Sequence, residues 1–287
     1  MLSSKALLIL FASAALGADF SGTAAFNYAK AAAELGPRPP GSPANHRLQS
    51  YIEAQVRKTG CQIFEDSFRS QTPVGAVVMK NIIARFPGSS GRIIAITGHY
   101  DTKYMPKQRF VGANDGGSST GFLLELARVL GAEKRTDEID LVWFDGEEAY
   151  GEWSATDSVY GSRHLAETWA KDGTLSRVKA LINVDMIGDK DLGILYESNS
   201  SPDLLKLVWK SANDLGYGKY FLTQPSATED DHTPFLARGA NALDLIDFDY
   251  GPMNSYWHTN QDTVDKLSPH SFEVVGAVLT QVIHQLE

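Results

Sequence analysis

The sequence predicts an α/β fold of three layers, α/β/α, around a mixed, mostly parallel twisted sheet. Three observations carry this. Short β-branched and aromatic runs alternate along the chain with longer stretches of helical spacing, the order that βα units with parallel strands produce. Two strand-like runs separated by Pro87-Gly88-Ser89-Ser90-Gly91 read as one early hairpin, the antiparallel part of the sheet. Metal-capable polar residues then stand just after predicted strands, where open α/β sheets place their chemistry.

Taken in order, Phe26 to Leu35 is Ala-rich and amphipathic, and it ends at the rigid loop Gly36-Pro37-Arg38-Pro39-Pro40-Gly41-Ser42. His46 to Thr59 has helical spacing and stops at Gly60. Strands are expected over Gln62 to Phe68, Val77 to Phe86 and Ile93 to Thr97, the last running into Gly98-His99-Tyr100-Asp101. After Gly112-Ala113-Asn114-Asp115-Gly116-Gly117, Ser118 to Leu130 has a strong apolar helix pattern. Ile139 to Phe144 is a buried strand, Gly161 to Lys171 a helix, and Val178 to Met186 a strand, with Leu192 to Tyr196 expected to pair beside it. Pro202 to Leu215 is helical, His232 to Arg238 a short helix and Ala240 to Ile246 a strand. Ser268-Pro269 opens a final helix with Val274, Val275, Val278, Val282 and Leu286 on its apolar face.

At 287 residues the chain is long enough to bury a sizeable core, and one domain over residues 19–287 is expected. The 35 Asp and Glu against 26 Lys and Arg give a net charge of −9, which argues against nucleic acid or an anionic membrane surface as the main partner. Residues 1–18 combine Lys5, the apolar run Ala6 to Ala12 and small residues through Gly17-Ala18, the layout of a secretory signal peptide. That run is too short to span a bilayer, so a secreted or periplasmic protein with no membrane span in the mature chain is expected. Cys61 is the only cysteine, so stability rests on the core and on any metal rather than on a disulfide within the chain. A monomer is expected.

The chemistry gathers around Phe144 to Trp153, where Glu147 and Glu148 follow directly on a buried strand and Asp145-Gly146. Adjacent side chains at such a turn diverge, so that one carboxylate can bind a metal while its neighbour handles protons. His99, Asp115, Glu148, Asp185 and His258 all follow predicted strands. Each has a plain structural reading: loop histidines, a helix cap, a turn former. Their recurrence at successive strand ends points instead to one site, and Asp and Glu oxygens with a His nitrogen suit zinc.

These residues carry a resemblance. Gly98-His99-Tyr100-Asp101, Ala113-Asn114-Asp115-Gly116, Asp145-Gly146-Glu147-Glu148, Val184-Asp185-Met186-Ile187-Gly188 and Trp257-His258-Thr259 look like the successive metal-site blocks of the M28 zinc aminopeptidase superfamily. Three stretches resemble its glutaminyl-peptide cyclotransferase branch: Phe144 through Trp153 continuing to Asp157 through Leu165, Glu229 through Leu236, and Trp257 directly before His258. The resemblance implies a zinc aminopeptidase-like fold and one zinc per chain held by Asp115, Glu148 and His258. It implies Glu147 as acid/base, a hydrogen-bonded carboxylate pair of Asp185 and Asp230, and Trp153 and Trp257 lining the substrate pocket. The implied reaction converts N-terminal glutamine of peptides or proteins to pyroglutamate with release of ammonia. The competing implication is a di-zinc aminopeptidase, in which His99 and Asp185 bind a second zinc. Two departures stand out. Asp244 occupies a position where the family has His, and the cysteine pair of animal members is absent, as in a bacterial-type enzyme.

Overall fold

The computed structural model describes residues 19–131 and 134–287; the leader expected over residues 1–18 lies outside them. A six-stranded sheet runs through the molecule in the order β1 (Gln62–Thr72), β2 (Gly75–Phe86), β4 (Glu138–Phe144), β3 (Ile93–His99), β5 (Val178–Asp185), β8 (Ala242–Ile246). The β1–β2 and β2–β4 pairings are antiparallel, and β4–β3, β3–β5 and β5–β8 are parallel. The sheet is thus mixed and mostly parallel.

Alternation along the strands sorts the core onto two faces. Ile94, Ile96, Leu141, Trp143, Ile182 and Val184 pack on one face beneath α1 (Gly22–Glu34), α2 (Pro43–Val56), α3 (Gly117–Leu130), α5 (Pro202–Asp214) and α7 (Pro269–Leu286). Ala95, Val142, Phe144 and Leu181 face the other way, against α4 (Tyr160–Asp172) and the single turn α6 (Thr233–Leu236). This is the three-layer arrangement. Helix starts follow local chemistry: Ser21 Oγ accepts from Ala24 N–H at 3.2 Å, so α1 begins four residues before its Ala-rich pattern, and Ser268 Oγ caps α7 ahead of Pro269.

Two expectations are corrected. The hairpin is formed by β1 and β2 around Pro73-Val74, whereas residues 87–92 cross over to β3. β2 and β3 are not neighbours, because β4 inserts between them and pairs with both. Residues 194–197 form β6, which pairs not with β5 but in parallel with β7 (Phe221–Ser226) in a separate two-stranded sheet. β7 lacked a sequence signal since its burial pattern leaves four central residues exposed.

What matters for the site is that β3, β4, β5 and β8 run the same way, so their carboxyl ends lie along one edge. After β3 the chain passes to α3 on one face, and after β4 to α4 on the other. A crevice opens at such a reversal, and loops from four strands meet there.

Candidate metal centre and catalytic cavity

His99 ends β3, Asp115 stands just before α3, Glu148 follows β4, Asp185 ends β5, and His258 comes from the long loop after β8. The fold brings all five together. His258 Nε2 lies 3.1 Å from Glu148 Oε1 and 3.3 Å from Asp115 Oδ2. His99 Nε2 lies 3.3 Å from Asp115 Oδ1 and 3.2 Å from Asp185 Oδ1, so Asp115 bridges two groups: Asp115, Glu148 and His258, and His99, Asp115 and Asp185.

Whether a cation belongs here is answered by the unpaired atoms. Among the described residues, Asp115 Oδ2 and Glu148 Oε2 are buried without a hydrogen-bond partner, with only His258 Nε2 at 3.3 Å from the first and Lys103 Nζ at 3.7 Å from the second, so a cation between them would satisfy both. Burial works against charge on His258, yet Glu148 and Asp115 outweigh it and push its imidazole up to about 10. Three convergent donors, two carboxylate oxygens and an imidazole nitrogen, fit a zinc ion.

The surroundings hold these groups in register. Asp101 accepts from Glu147 N–H at 3.1 Å and Glu148 N–H at 3.4 Å, and its Oδ1 faces His99 Nδ1 at 3.4 Å. Asp262 accepts from Asn114 N–H at 2.8 Å, Asp115 N–H at 3.2 Å and Tyr250 O–H at 2.8 Å. Lys103 N–H donates to Glu148 Oε1 at 3.1 Å. Fully buried Arg38 donates to the carbonyls of Tyr100 at 2.7 Å, Gly112 at 2.8 Å and Asp115 at 3.4 Å, and to that of Val111. Gly116 adopts φ 76°, and a Cβ there would sit 2.3 Å from Asp101 O and 3.0 Å from His99 Cε1, so only glycine lets the α3 entry approach β3. His258 itself has φ 51°, a conformation that costs a non-glycine residue about 1–3 kcal/mol. Trp257 stacks on its ring at 4.0 Å and Phe110 meets it edge-on at 5.7 Å, holding it there.

The cluster opens into a cavity of about 530 Å³, within the range that suits small ligands. Its apolar walls are Trp153, Trp257, Phe248 and Ile246, with Phe248 meeting Trp257 edge-on at 4.9 Å. Glu147, Asp185 and Asp230 face the same space. Burial pushes Glu147 well above the usual carboxyl range; Glu148, Asp230 and Asp231 reinforce this against the opposing charge of His99. Burial, then the charge of Asp185, push Asp230 up to about 7. Asp185 Oδ1 faces His99, and burial raises its carboxyl too. Asp244 is fully buried one strand away, accepts from Asn183 Nδ2 at 3.1 Å, and is raised by burial and by Asp230 and Asp185.

The fold brings the residues singled out in the sequence to this one site, but the expected Asp185–Asp230 hydrogen bond is not formed: Asp185 Oδ1 pairs with His99 and Asp230 Oδ2 has no hydrogen-bond partner. Sequence reasoning gave no role to Arg38, Lys103, Asp101, Phe248 or Asp262. Asp101, two residues beyond His99, and Asp262, four beyond His258, were marked only by closeness to a ligand, and Arg38 only by its rigid Pro-rich loop.

Comparison with known proteins agrees with this geometry. Residues 81–283 match peptidase family M28. The chain is 34% identical over 253 residues to a glutaminyl-peptide cyclotransferase of Drosophila melanogaster, covering 79% of this chain and 70% of that protein. Its structure is similar to an Acidobacteriales bacterium glutaminyl cyclase, with TM-score 0.92, 40% identity and 99% of each chain covered. It is also similar to a Zn-dependent exopeptidase from Parabacteroides distasonis, with TM-score 0.83, 26% identity, and 93% of this chain and 99% of that one covered. The chain belongs to peptidase family M28 and, within it, to the glutaminyl-peptide cyclotransferases.

Proposed function

We propose that this chain cyclises the N-terminal glutamine of peptides and proteins to pyroglutamate, releasing ammonia, with one zinc per chain. The observation that carries this is the joint opening of the Asp115, Glu148 and His258 group and of Glu147 into one small cavity walled by Trp153, Trp257 and Phe248. Cyclisation needs the α-amine of glutamine to attack its own side-chain amide carbon. Nucleophile and electrophile belong to one residue, so the main task is to hold the folded-back conformer, and flat aromatic walls do that. Zinc held by Asp115, Glu148 and His258 supplies a Lewis acid for the side-chain amide.

The chain's own groups move the protons. Glu147, poised to accept a proton in its buried setting, takes one from the amine as the ring closes and returns it to the departing ammonia. Asp230, raised by burial and by the charge of Asp185, holds a proton, which keeps the floor of the cavity from carrying two full charges.

A second reading has its own observation. His99, Asp115 and Asp185 offer ligand atoms within 4.8 Å of one another, a place for the second zinc of an aminopeptidase. One assay separates the two. With purified protein, a Gln-initiated peptide losing the mass of ammonia while a Leu-initiated peptide stays intact supports the cyclase. Shortening of either peptide by one residue makes the chain an aminopeptidase.

Among the described residues, no helix is long and apolar enough to cross a membrane. We place the protein outside the cytoplasm, with residues 1–18 removed on export and residues 19–287 acting as one monomeric catalytic domain. N-terminal sequencing of protein recovered from periplasm or medium tests this, since retention of Met1 contradicts it. Sizing chromatography tests the monomer.

A further inference from the structure

Beside the catalytic cavity lies a second cleft of about 690 Å³, and the two share Trp153, Glu229 and Asp230 in their walls. Trp153 Nε1–H donates to Glu229 Oε2 at 3.1 Å, so an indole and a carboxylate locked together stand between the two spaces. A polypeptide with its first residue at the catalytic centre has to leave across some part of the rim, and this shared wall leads into a ready-made trough.

In a chain whose net charge is −9, the trough gathers three guanidinium groups. It holds Arg69 of β1, Arg163 of α4 and Arg238 just after α6. Arg57, Arg85, Arg92 and Arg128 each lie within 4.0 Å of a carboxylate, whereas the three of the trough, like Arg47, Arg109 and Arg177, have none that near among the described residues. Arg163 donates to the carbonyls of Ala155 and Thr156 and lies over the Tyr160 ring at 5.0 Å, while Arg238 donates to Pro234 O. The three acids of the trough each have a partner, of which only Lys171 is charged. Glu229 accepts from Trp153, Glu167 pairs with Lys171, and Asp230 accepts from Asp231 N–H.

We infer that this cleft binds the substrate chain downstream of its N-terminal residue and that Arg69, Arg163 and Arg238 select acidic side chains there. The inference rests on the cyclisation reading and names the substrate class of that site. Guanidinium groups recognise carboxylates through paired N–H donors; exposed Arg69 and Arg238 keep donors free for this, while Arg163, whose terminal nitrogens donate to backbone carbonyls, adds its charge.

The test compares two peptides, each beginning Gln-Ala-Ala and continuing with three Glu in one and three Gln in the other. At low salt the acidic peptide has the higher kcat/KM by about three- to tenfold, mainly through KM, the scale of a few exposed ion pairs. The advantage shrinks as salt is added. The double variant Arg69→Gln/Arg238→Gln, at two exposed positions where the fold asks little of the side chain, brings the ratio close to one. Pyroglutamate formed from both peptides at equal kcat/KM by the unaltered protein overturns the cleft assignment alone, as does an acidic preference that persists in the double variant. Absence of pyroglutamate from both peptides overturns the cyclisation reading and the cleft with it.

Discussion

Arg38→Lys keeps the positive charge and removes the fork. The Arg38 guanidinium reaches four backbone carbonyls at once, those of Tyr100, Val111, Gly112 and Asp115, and so ties the segment after His99 to the one carrying Asp115. Burial lowers the Arg38 guanidinium to about 10 against the charges of Asp262, Asp115, Asp101 and Glu148, so it stays protonated at neutral pH. A lysine ammonium donates from a single point and reaches neighbouring carbonyls such as those of Val111 and Gly112, but not Tyr100 O on the other segment as well. At least two carbonyls then lose their donor inside the core, at about 1–3 kcal/mol each, or roughly 2–6 kcal/mol in total. Denaturant unfolding of the metal-free protein reads this directly, and a thermal scan reads it as roughly 2–4 °C per kcal/mol for a chain of this size. Zinc affinity, measured by competition with a chelator, falls about 10- to 100-fold, as it does when the groups that orient ligands are disturbed. Unfolding free energy within about 0.5 kcal/mol of the unaltered protein, with unchanged zinc affinity, refutes the assignment of Arg38 as the tie between the two segments.

Trp257→Ala removes the ring stacked on His258 and one wall of the cavity; kcat/KM for Gln-initiated peptides falls at least about tenfold while zinc stays bound, and a variant with unchanged kinetics contradicts the wall assignment. Elemental analysis gives about one zinc per chain, and Asp230→Ala, by freeing Asp185 to ionise beside His99, raises that number while cyclisation falls; two tightly held zincs in the unaltered protein contradict the single-metal reading. Stability of the chelated protein depends on pH through Asp145 and Asp247, each pushed up to about 7, the first by burial and Asp101, the second by burial and Asp189. Their ordinary value is about 4, so the folded state binds more protons between about 4 and 7, and unfolding free energy declines from pH 5 to pH 8; a rise over that interval contradicts it.

The elements legible from sequence were those whose burial pattern is strong. α3 is buried on nearly every position, with Phe122, Leu123, Leu124, Leu126, Val129 and Leu130 setting its apolar pattern, and β4 is buried along almost its whole length; both were placed within a residue or two. The hairpin was misplaced because Pro87-Gly88-Ser89-Ser90-Gly91 carries every turn residue, while the turn actually used, Pro73-Val74 before Gly75, sits between strands whose ends are exposed. Strand neighbours are decided by long-range packing, here by β4 inserting beside β2, and local composition says nothing of that. The same holds for the site. Groups that touch a cation or substrate have telling residue types at strand ends. Asp101, Asp262 and Arg38 act through backbone N–H and carbonyl groups, and nothing in their type distinguishes them until the chain segments they join are side by side.

The division of labour between two adjacent carboxylates is tested most directly by comparing Glu147→Gln with the unaltered protein on one Gln-initiated peptide, with zinc content measured on the same samples. Glu147→Gln preserves shape and leaves Asp115, Glu148 and His258 in place, so zinc content is unchanged and pyroglutamate formation slows by at least about 10²-fold. Turnover near that of the unaltered protein, or loss of zinc in step with loss of turnover, contradicts the assignment of Glu147 to proton transfer and Glu148 to the cation.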